Sequence, residues 1–495
     1  MNEANFIAIN RAQEKQIKLL EERIKEQQNQ YDHLVKLIYG HTSERFISNL
    51  SPDQLSIFAR EQEERKEEKP QPIEVGKHKR CKSKQHPGRN EIPTHLPVEE
   101  VLIEPTENTE GLKKVGEEIT ETLEYIPAGL VCKRIVRSKY AKPDGEGILI
   151  ADLPARPINK GIAEASLLSH ILVSKFVDHL PYHRQIEMFK RDFNWTLPQS
   201  TVIDWMTSCC TLLLPLYELL RQKILNKDYI QVDESPIKVQ DRSKKGKTHR
   251  GYMWVYHDPL DKLVYFKYSK GRGREDPATV LANYTGYLQC DGYPVYDAIG
   301  AREGISLVGC LAHARRKFYE ATTSDAARSE FVLLKFQQVY QLDKKMSGET
   351  PNPEKRAEMR NEQIKPILLE IKQWIAAESH LVVPQSPIGK AMTYYQNQWP
   401  KLEAIFHDGR LKLDNNLIEN SIRPLALGRK NYMFAGSHTG AERNAMIYSF
   451  MGSCKMQSIN PREWLENTLK RMPEQPMDKL HELLPGYGIV VELDV

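Results

Sequence analysis

YIQVDESPIKV (229–239), GYMWVYHD (251–258) and KLVYFKYS (262–269) are three consecutive runs rich in β-branched and aromatic residues. Such runs, bounded by turn formers, read as strands. The last two are joined by a tight turn through Pro259 and Asp261. A helix follows from Asp276 to Tyr284, a strand from Tyr287 to Asp291, a short helix, and a strand from Ile305 to Cys310. Residues 311 to about 405 are mostly helical, and a final helix starts near Asp414.

Three meandering strands followed by alternating helix and strand is the order of a ribonuclease-H-like α/β layer. The expected fold class is therefore a multidomain α/β chain. Its ribonuclease-H-like catalytic domain spans 227–455, with a large helical insertion at 311–410. A C-terminal helix and tail occupy 456–495. Upstream, residues 1–60 read as a long helix. Ile17, Leu20, Ile24, Gln27, Tyr31, Leu34 and Ile38 alternate spacings of three and four. That is an a/d seam with one polar position, suited to a coiled-coil dimer. A helix packed on its own chain carries the same stripe, so both readings stay open. Residues 61–97 form a charged linker and basic arm: EQEERKEE (61–68) is acidic, and KHKRCKSKQHPGR (77–89) is basic. Lys79, Arg80, Lys82 and Arg89 in that arm suit phosphate contacts, although such a run is also an ordinary solvated linker.

Residues 98–160 read as a small β unit, with strands in EEVLIEP, EITETLEYIP and LVCKRIVRSKY. Residues 161–226 are helical: Ile162 to Leu180, Tyr182 to Phe193, a turn through Asn194 to Pro198, then Gln199 to Ile224 with Ser200 or Thr201 as N-cap. Two helices across such a turn allow a DNA-binding helix-turn-helix over 182–210, and an all-α core would look the same.

The chain has 495 residues, enough for about three domains. Lys and Arg total 70 against 66 Asp and Glu, a net charge of +4 that excludes neither an enzyme nor a nucleic-acid binder. The apolar run Leu212 to Leu220 is broken by Pro215 and Glu218, and a membrane span needs about 20 apolar residues. The seven cysteines include no CxxC pair, which fits free thiols in a reducing cytosol rather than a disulfide frame.

Three acids stand out by placement. Asp233 lies within the first strand, Asp291 ends the fourth in CDGYPVYD (290–297), and Glu419 lies in DNNLIENSIRP (414–424) on the helix after the fifth. First and fourth strands can be neighbours in such a sheet, and the later helix can lay Glu419 across the same edge. Three converging carboxylates repel one another unless hard divalent cations neutralise them. A pair of such ions about 4 Å apart suits phosphodiester chemistry. An Asp near a strand end is also a common turn former. Asn416 and Arg423 share a helical face with Glu419. Arg429, Lys430, Asn431 and Tyr432 add cations, an amide and an aromatic of the kind that contacts phosphates and stacks on bases.

The chain resembles transposases of the insertion-sequence-66 family, which are DDE transposases. The shared pieces are LIYGHTSERF (from 37), GRNEIPTHLP (88–97), LLSHILVSKFVDHLPYHRQ (167–185), VDESPIKV (232–239), CDGYPVYD (290–297), GCLAHARRKF (309–318), LDNNLIENSIRPLALGRKNYMFAGSHTGAERNA (413–445) and ELLPG (482–486). They run in family order over nearly the whole chain. The resemblance implies Asp233, Asp291 and Glu419 as the catalytic and metal-binding triad. It further implies two Mg²⁺ ions per active site, with Mn²⁺ as a substitute, and Asp233 bridging them. Water attacks at a transposon end and frees a 3′-OH, which then attacks target DNA. The implied partners are terminal inverted repeats, target DNA, a second copy of the chain and accessory proteins of the element, in the bacterial cytoplasm. His313 and Arg315 in LAHARRKF stand near the DNA in this picture, with capping or solvated roles as the alternative.

Two features qualify the resemblance. Family members carry a cysteine-paired, zinc-ribbon-like segment near 105–145, whereas this chain has only Cys132 there. Four ligands cannot be assembled, so no structural zinc is expected. Ser235 replaces a common Thr. SKGRGR (269–274) lacks a Walker ending and reads as a basic loop. The rival functions are a domesticated transposase acting as a non-cutting DNA-binding regulator, and a nuclease without end specificity.

Overall fold

The computed structural model describes residues 92, 96–105, 113–126, 129–142, 147–241, 247–350 and 352–487. The predicted coiled-coil helix and the basic arm with Lys79, Arg80, Lys82 and Arg89 lie outside the described residues. The strands are β1 (Val98–Ile103), β2 (Lys113–Ile126), β3 (Gly129–Ala141), β4 (Ile148–Ile150), β5 (Tyr229–Gln240), β6 (Thr248–Asp258), β7 (Leu263–Ser269), β8 (Gly286–Gln289) and β9 (Ile305–Val308). The helices are α1 (Ala165–Phe176), α2 (Tyr182–Phe193), α3 (Gln199–Leu225), α4 (Glu275–Val280), α5 (Pro294–Gly300), α6 (Leu311–Ala321), α7 (Ala326–Glu349), α8 (Pro353–Gln363), α9 (Lys365–Glu378), α10 (Pro387–Glu403), α11 (Asn416–Tyr432), α12 (His438–Met456) and α13 (Pro461–Arg471).

The chain divides into two compact units, and β5 passes from one to the other. The first holds Asp228–Val232 and Ala278–Glu419; the second holds the described parts of Lys69–Lys227, Asp233–Pro277 and Asn420–Val495. One sheet has the order β1-β3-β2 with β4 on β3, and the other has the order β7-β6-β5-β8-β9.

In the first unit β5 pairs in parallel with β8, opposing Tyr229 with Tyr287, Ile230 with Leu288 and Gln231 with Gln289. Strand β8 pairs in parallel with β9. The helices expected from 311 to about 405 are present as α6 to α10. Its core gathers Leu311 and Phe318 from α6, Phe336 from α7, Leu368 and Ile371 from α9, and Tyr395 and Trp399 from α10. Arg360 is almost wholly buried among them. Its guanidinium is satisfied by Asp343 (2.7 Å) and the Leu411 carbonyl (2.8 Å), as a buried charge requires.

In the second unit, β7 is the outer strand of its sheet, and helix α12 covers it. Val264 N–H donates to Ser453 Oγ (2.9 Å) and Phe266 N–H to Ser449 Oγ (2.8 Å). Side-chain acceptors thus satisfy backbone donors that an edge strand otherwise leaves open. Helix α3 is long and apolar enough to cross a membrane by length and composition. Its Cys209, Leu213, Leu216, Leu220 and Ile224 are nevertheless fully buried within this unit, the packing of a core helix.

Several boundaries differ from the sequence reading. Helix α1 is shorter than 162–180, because Asp178 and His179 leave the helix and His179 takes a positive φ of 59°. The N-cap of α3 is Pro198, with no side-chain cap bond, rather than Ser200 or Thr201. Proline's fixed φ of −65° already sets the chain's entry into the helix there. The helix expected over 276–284 is the short α4, and strand β4 was not anticipated. The helix near Asp414 is followed by α12 and by the expected C-terminal helix, which is α13.

Gly286 opens β8 with φ +122°, and an added Cβ would lie 2.3 Å from the Asp228 carbonyl oxygen. Gly286→Ala should therefore cost at least about 1 kcal/mol in urea unfolding. Gly273→Ala, where nothing lies within 4 Å, should stay within about 0.5 kcal/mol of wild type. Equal stability of the two variants would contradict this account.

Candidate active site

Strands β5 and β8 carry one pattern twice: Gln-x-Asp as QVD (231–233) and as QCD (289–291). In the first unit both glutamines are fully buried, so their amides need internal partners. Gln231 Nε2 donates to Gln289 Oε1 (2.8 Å) and to the Asp414 carbonyl (3.1 Å). Gln289 Nε2 donates to the carbonyls of Gly309 (3.2 Å) and Lys412 (2.8 Å). The Tyr229 hydroxyl donates to Gln289 Oε1 (2.5 Å) and accepts from Lys412 N–H (3.1 Å). This network pins the segment before α11 to the ends of β5 and β8. Sequence reasoning missed the two glutamines. The repeated Gln-x-Asp was the signal that would have found them.

Asp291 follows β8 by two residues and is half-buried. Its Oδ1 accepts from Tyr293 N–H (2.9 Å), so the turn-forming role weighed from sequence is present. Gly292 abuts the Tyr394 ring, where a Cβ would come within 2.8 Å. Burial, and then Cys310 and Asp291, push the Tyr394 phenol up. Glu419 occupies the first turn of α11 and is 9% exposed. Its Oε1 lies 3.8 Å from Nε2 of His313, in the first turn of α6. Asn416 N–H donates to Asp414 Oδ1 (3.1 Å), which starts α11. Burial, and then Asp414 and Glu419, push the Cys310 thiol up, and its sulfur accepts from Asn415 N–H at 3.5 Å. Arg315 is half-buried on α6.

In the second unit Asp233 is half-buried, and its Oδ1 accepts from Glu234 N–H (2.8 Å). Glu234 is gripped by Arg272 (2.6 Å), which ties the SKGRGR loop to β5. Arg429 is engaged by its own chain: Nη1 donates to Ser235 Oγ (3.0 Å) and to the Pro236 carbonyl (2.7 Å). Arg423 is half-buried, and Lys430 is exposed. Asn431 Oδ1 accepts from Arg184 Nη1 at 3.4 Å.

The structure thus brings Glu419 beside His313, and the Arg429 guanidinium onto the Ser235 hydroxyl and the Pro236 carbonyl, two and three residues after Asp233. Among the described residues, no group of three or more His, Cys, Asp or Glu side chains stands ready to hold a metal ion. The described cysteines, Cys132, Cys209, Cys210, Cys290, Cys310 and Cys454, are buried thiols outside any disulfide.

Comparison with known proteins identifies the lineage. A family model described as Transposase IS66 family matches residues 160–443. The chain belongs to this family. The IS66 C-terminal element matches residues 449–485. A region described as Transposase C of IS166 homeodomain matches 26–101, overlapping the span read as coiled coil and basic arm. The uncharacterized protein y4jD of Sinorhizobium fredii is similar at 30% identity over 482 residues, covering 92% of each chain. The uncharacterized protein y4hP of the same organism is 30% identical over 433 residues, covering 81% of this chain and 77% of its own.

For this IS66-family chain, Arg429→Ala should remove the partner of Ser235 and Pro236. It should lower unfolding stability by about 1–3 kcal/mol, while Lys430→Ala changes it by no more than about 0.5 kcal/mol. Chemical denaturation of both variants tests this, and matched stabilities would refute the clamp.

Proposed function

We propose that the protein is a DNA transposase. It binds transposon ends, cleaves a strand there and joins the freed 3′-OH to target DNA by a DDE mechanism. The observation that carries the reading is the parallel register of Gln231 with Gln289. Each of these glutamines is followed two positions later by a carboxylate, Asp233 and Asp291. The sheet order, in which the first and fourth strands of the domain are neighbours, supports the ribonuclease-H-like assignment.

The donor set fits a hard cation. Mg²⁺ in phosphoryl-transfer sites takes one or two carboxylates and leaves other positions to water and substrate phosphate. A preformed cage of three side chains is therefore not required. Asp233, Asp291 and Glu419 would hold two Mg²⁺ ions, or Mn²⁺ in their place. When bound, such ions stabilise the attacking and leaving oxygens of an in-line displacement. The chain's own groups do the positioning. The buried glutamine network fixes where β5, β8 and the start of α11 stand, and His313 orients the Glu419 carboxylate beside it. Asn416 and Arg423, on the Glu419 face of α11, offer donors to the phosphate backbone. Arg315 and Lys430 do the same from α6 and from the end of α11. Arg429 acts from its clamp on Ser235. The family match to a homeodomain region and the basic arm support DNA as partner, with residues 182–210 as a second contact. Two ends must be brought together, which calls for at least a homodimer.

Cleavage of labelled transposon-end DNA with Mg²⁺ tests the proposal. Wild type should cut, and Asp291→Asn should lose activity by at least about a hundredfold, the scale of losing one electrostatic stabiliser. Equal cutting by both rejects the site assignment. No cutting by either, with DNA binding retained, makes the chain a regulator. Cutting that scrambled DNA competes away makes it a nuclease without end specificity.

A further inference from the structure

In the second unit, helix α11 ends in a turn that holds two apolar side chains out of the core. Met433 is 65% exposed and Phe434 38%. The turn is fixed on both sides. Met433 N–H donates to the Arg429 carbonyl (2.9 Å) and Phe434 N–H to that of Tyr432 (2.7 Å). Ala435 then bridges to Val239 of β5. Its N–H donates to the Lys238 carbonyl (2.8 Å), and its carbonyl accepts from Gln240 N–H (2.7 Å). The pair is thus the tip of a pinned turn between a helix end and a strand.

The tip is built against local preference. Met433 has a φ of 60°, the left-handed conformation that closes a helix. Glycine, or sometimes asparagine, usually takes that place, because a Cβ is strained there. A methionine in it bears the strain and gains no burial. Phe434 leaves a large ring partly in water. Helix closure accounts for neither side chain, and strain of this kind clusters where proteins grip ligands.

The surroundings carry positive charge. Lys430, in the last turn of α11, and Lys238, beside Ala435, are exposed. From the tip the chain runs on to His438, whose ring stands 5.4 Å from that of His249 and whose Nδ1 meets the Tyr268 hydroxyl (2.7 Å). His249 Nε2 in turn lies 2.6 Å from the Lys270 carbonyl oxygen. Two basic segments are joined here, the start of β6 and the SKGRGR loop, with Lys247, Arg250, Lys270 and Arg274 exposed. Residues 242–257 hold five Lys or Arg and no acid. The nearby acids are Glu234, which Arg272 grips, half-buried Asp241, and exposed Glu275, Asp276 and Glu442; the exposed cations outnumber them. An apolar tip among cations matches a polyanion with an apolar interior, which is duplex DNA. Proteins that kink DNA insert Met or Phe between base pairs, while Lys and Arg hold the phosphates.

We propose that Met433 and Phe434 are a wedge that enters bound duplex DNA between two stacked base pairs and opens that step, with the surrounding cations on the phosphates to either side. This rests on the reading of DNA as the partner and adds to it a point of distortion. Arg429, whose carbonyl starts the turn, also holds the Ser235 hydroxyl two residues after Asp233. The wedge is therefore tied to the strand that carries one of the proposed catalytic carboxylates.

Fluorescence of 2-aminopurine, placed at one position per duplex along transposon-end DNA, tests this with the full-length protein at saturation. Gel retardation of the same duplexes reports binding independently. With wild type the signal should rise at least about twofold at one step, where a base leaves its stack. Met433→Gly suits the left-handed backbone, so its unfolding midpoint should not fall. Joined with Phe434→Ser it should abolish the rise, while the retarded complex, carried by the cations, persists. Should the double variant fail to fold, the two substitutions are read singly, and each should lower the rise. Retarded DNA with no rise at any position overturns the wedge and leaves the transposase reading intact. A rise that survives the substitutions overturns it too, and a fall in oligomeric mass alongside assigns the tip to a second copy of the chain. Absence of any retarded complex sinks the DNA reading and this proposal together.

Discussion

Two buried glutamine side chains, Gln231 and Gln289, hold the centre of the first unit together. Each sits on a parallel strand with no water to satisfy it, and each finds partners only in one arrangement of the surrounding chain. A slip of β5 against β8 by one residue would turn the Gln231 amide to the opposite face and leave buried polar groups of the network unpaired. The register is therefore specified by polar satisfaction as well as by apolar packing. The same amides reach the carbonyls of Gly309, Lys412 and Asp414. The chain that delivers Glu419 is thus placed by the groups that place the two strands.

A site placed in this way is held from behind. The carboxylates at 233 and 291 come two residues after the glutamines, where the buried network gives way to half-buried positions. Half-burial suits groups that must meet a solvated, negatively charged polymer and its counterions. Buried polar contacts supply position, and in the proposed mechanism the partly exposed carboxylates supply chemistry. His313 and Glu419 repeat the scheme at the start of two helices, each anchored through the Cys310 to Asn415 contact.

Much of this was legible beforehand. The three consecutive strands, the alternating elements after them and the helical insertion follow from the change of hydrophobic period at Tyr229, because side-chain alternation along a strand and the 3.6-residue helical repeat leave distinct marks. The adjacency of the first and fourth strands was expected from their order, and the β5–β8 pairing shows it. The helix covering β7 was not legible. Serines 449 and 453 look like ordinary small residues of a helix until Val264 and Phe266 are seen to need acceptors. Arg429 read as a phosphate contact because a cluster of cations mixed with an amide and an aromatic suggests one; its bonds to Ser235 and Pro236 depend on which strand lies nearby. The basic arm and the heptad stripe lie outside the described residues.

The sequence by itself determined which elements form, their order and the lineage to which the chain belongs, since each depends on residue pattern along the chain. The meeting of Gln231 with Gln289, the place of Glu419 beside His313 and the hold of Arg429 on Ser235 came from the folded chain alone. Those facts rest on contacts between residues far apart in the chain. Hydrogen-bond satisfaction in a buried environment selects such contacts, and no local pattern encodes it.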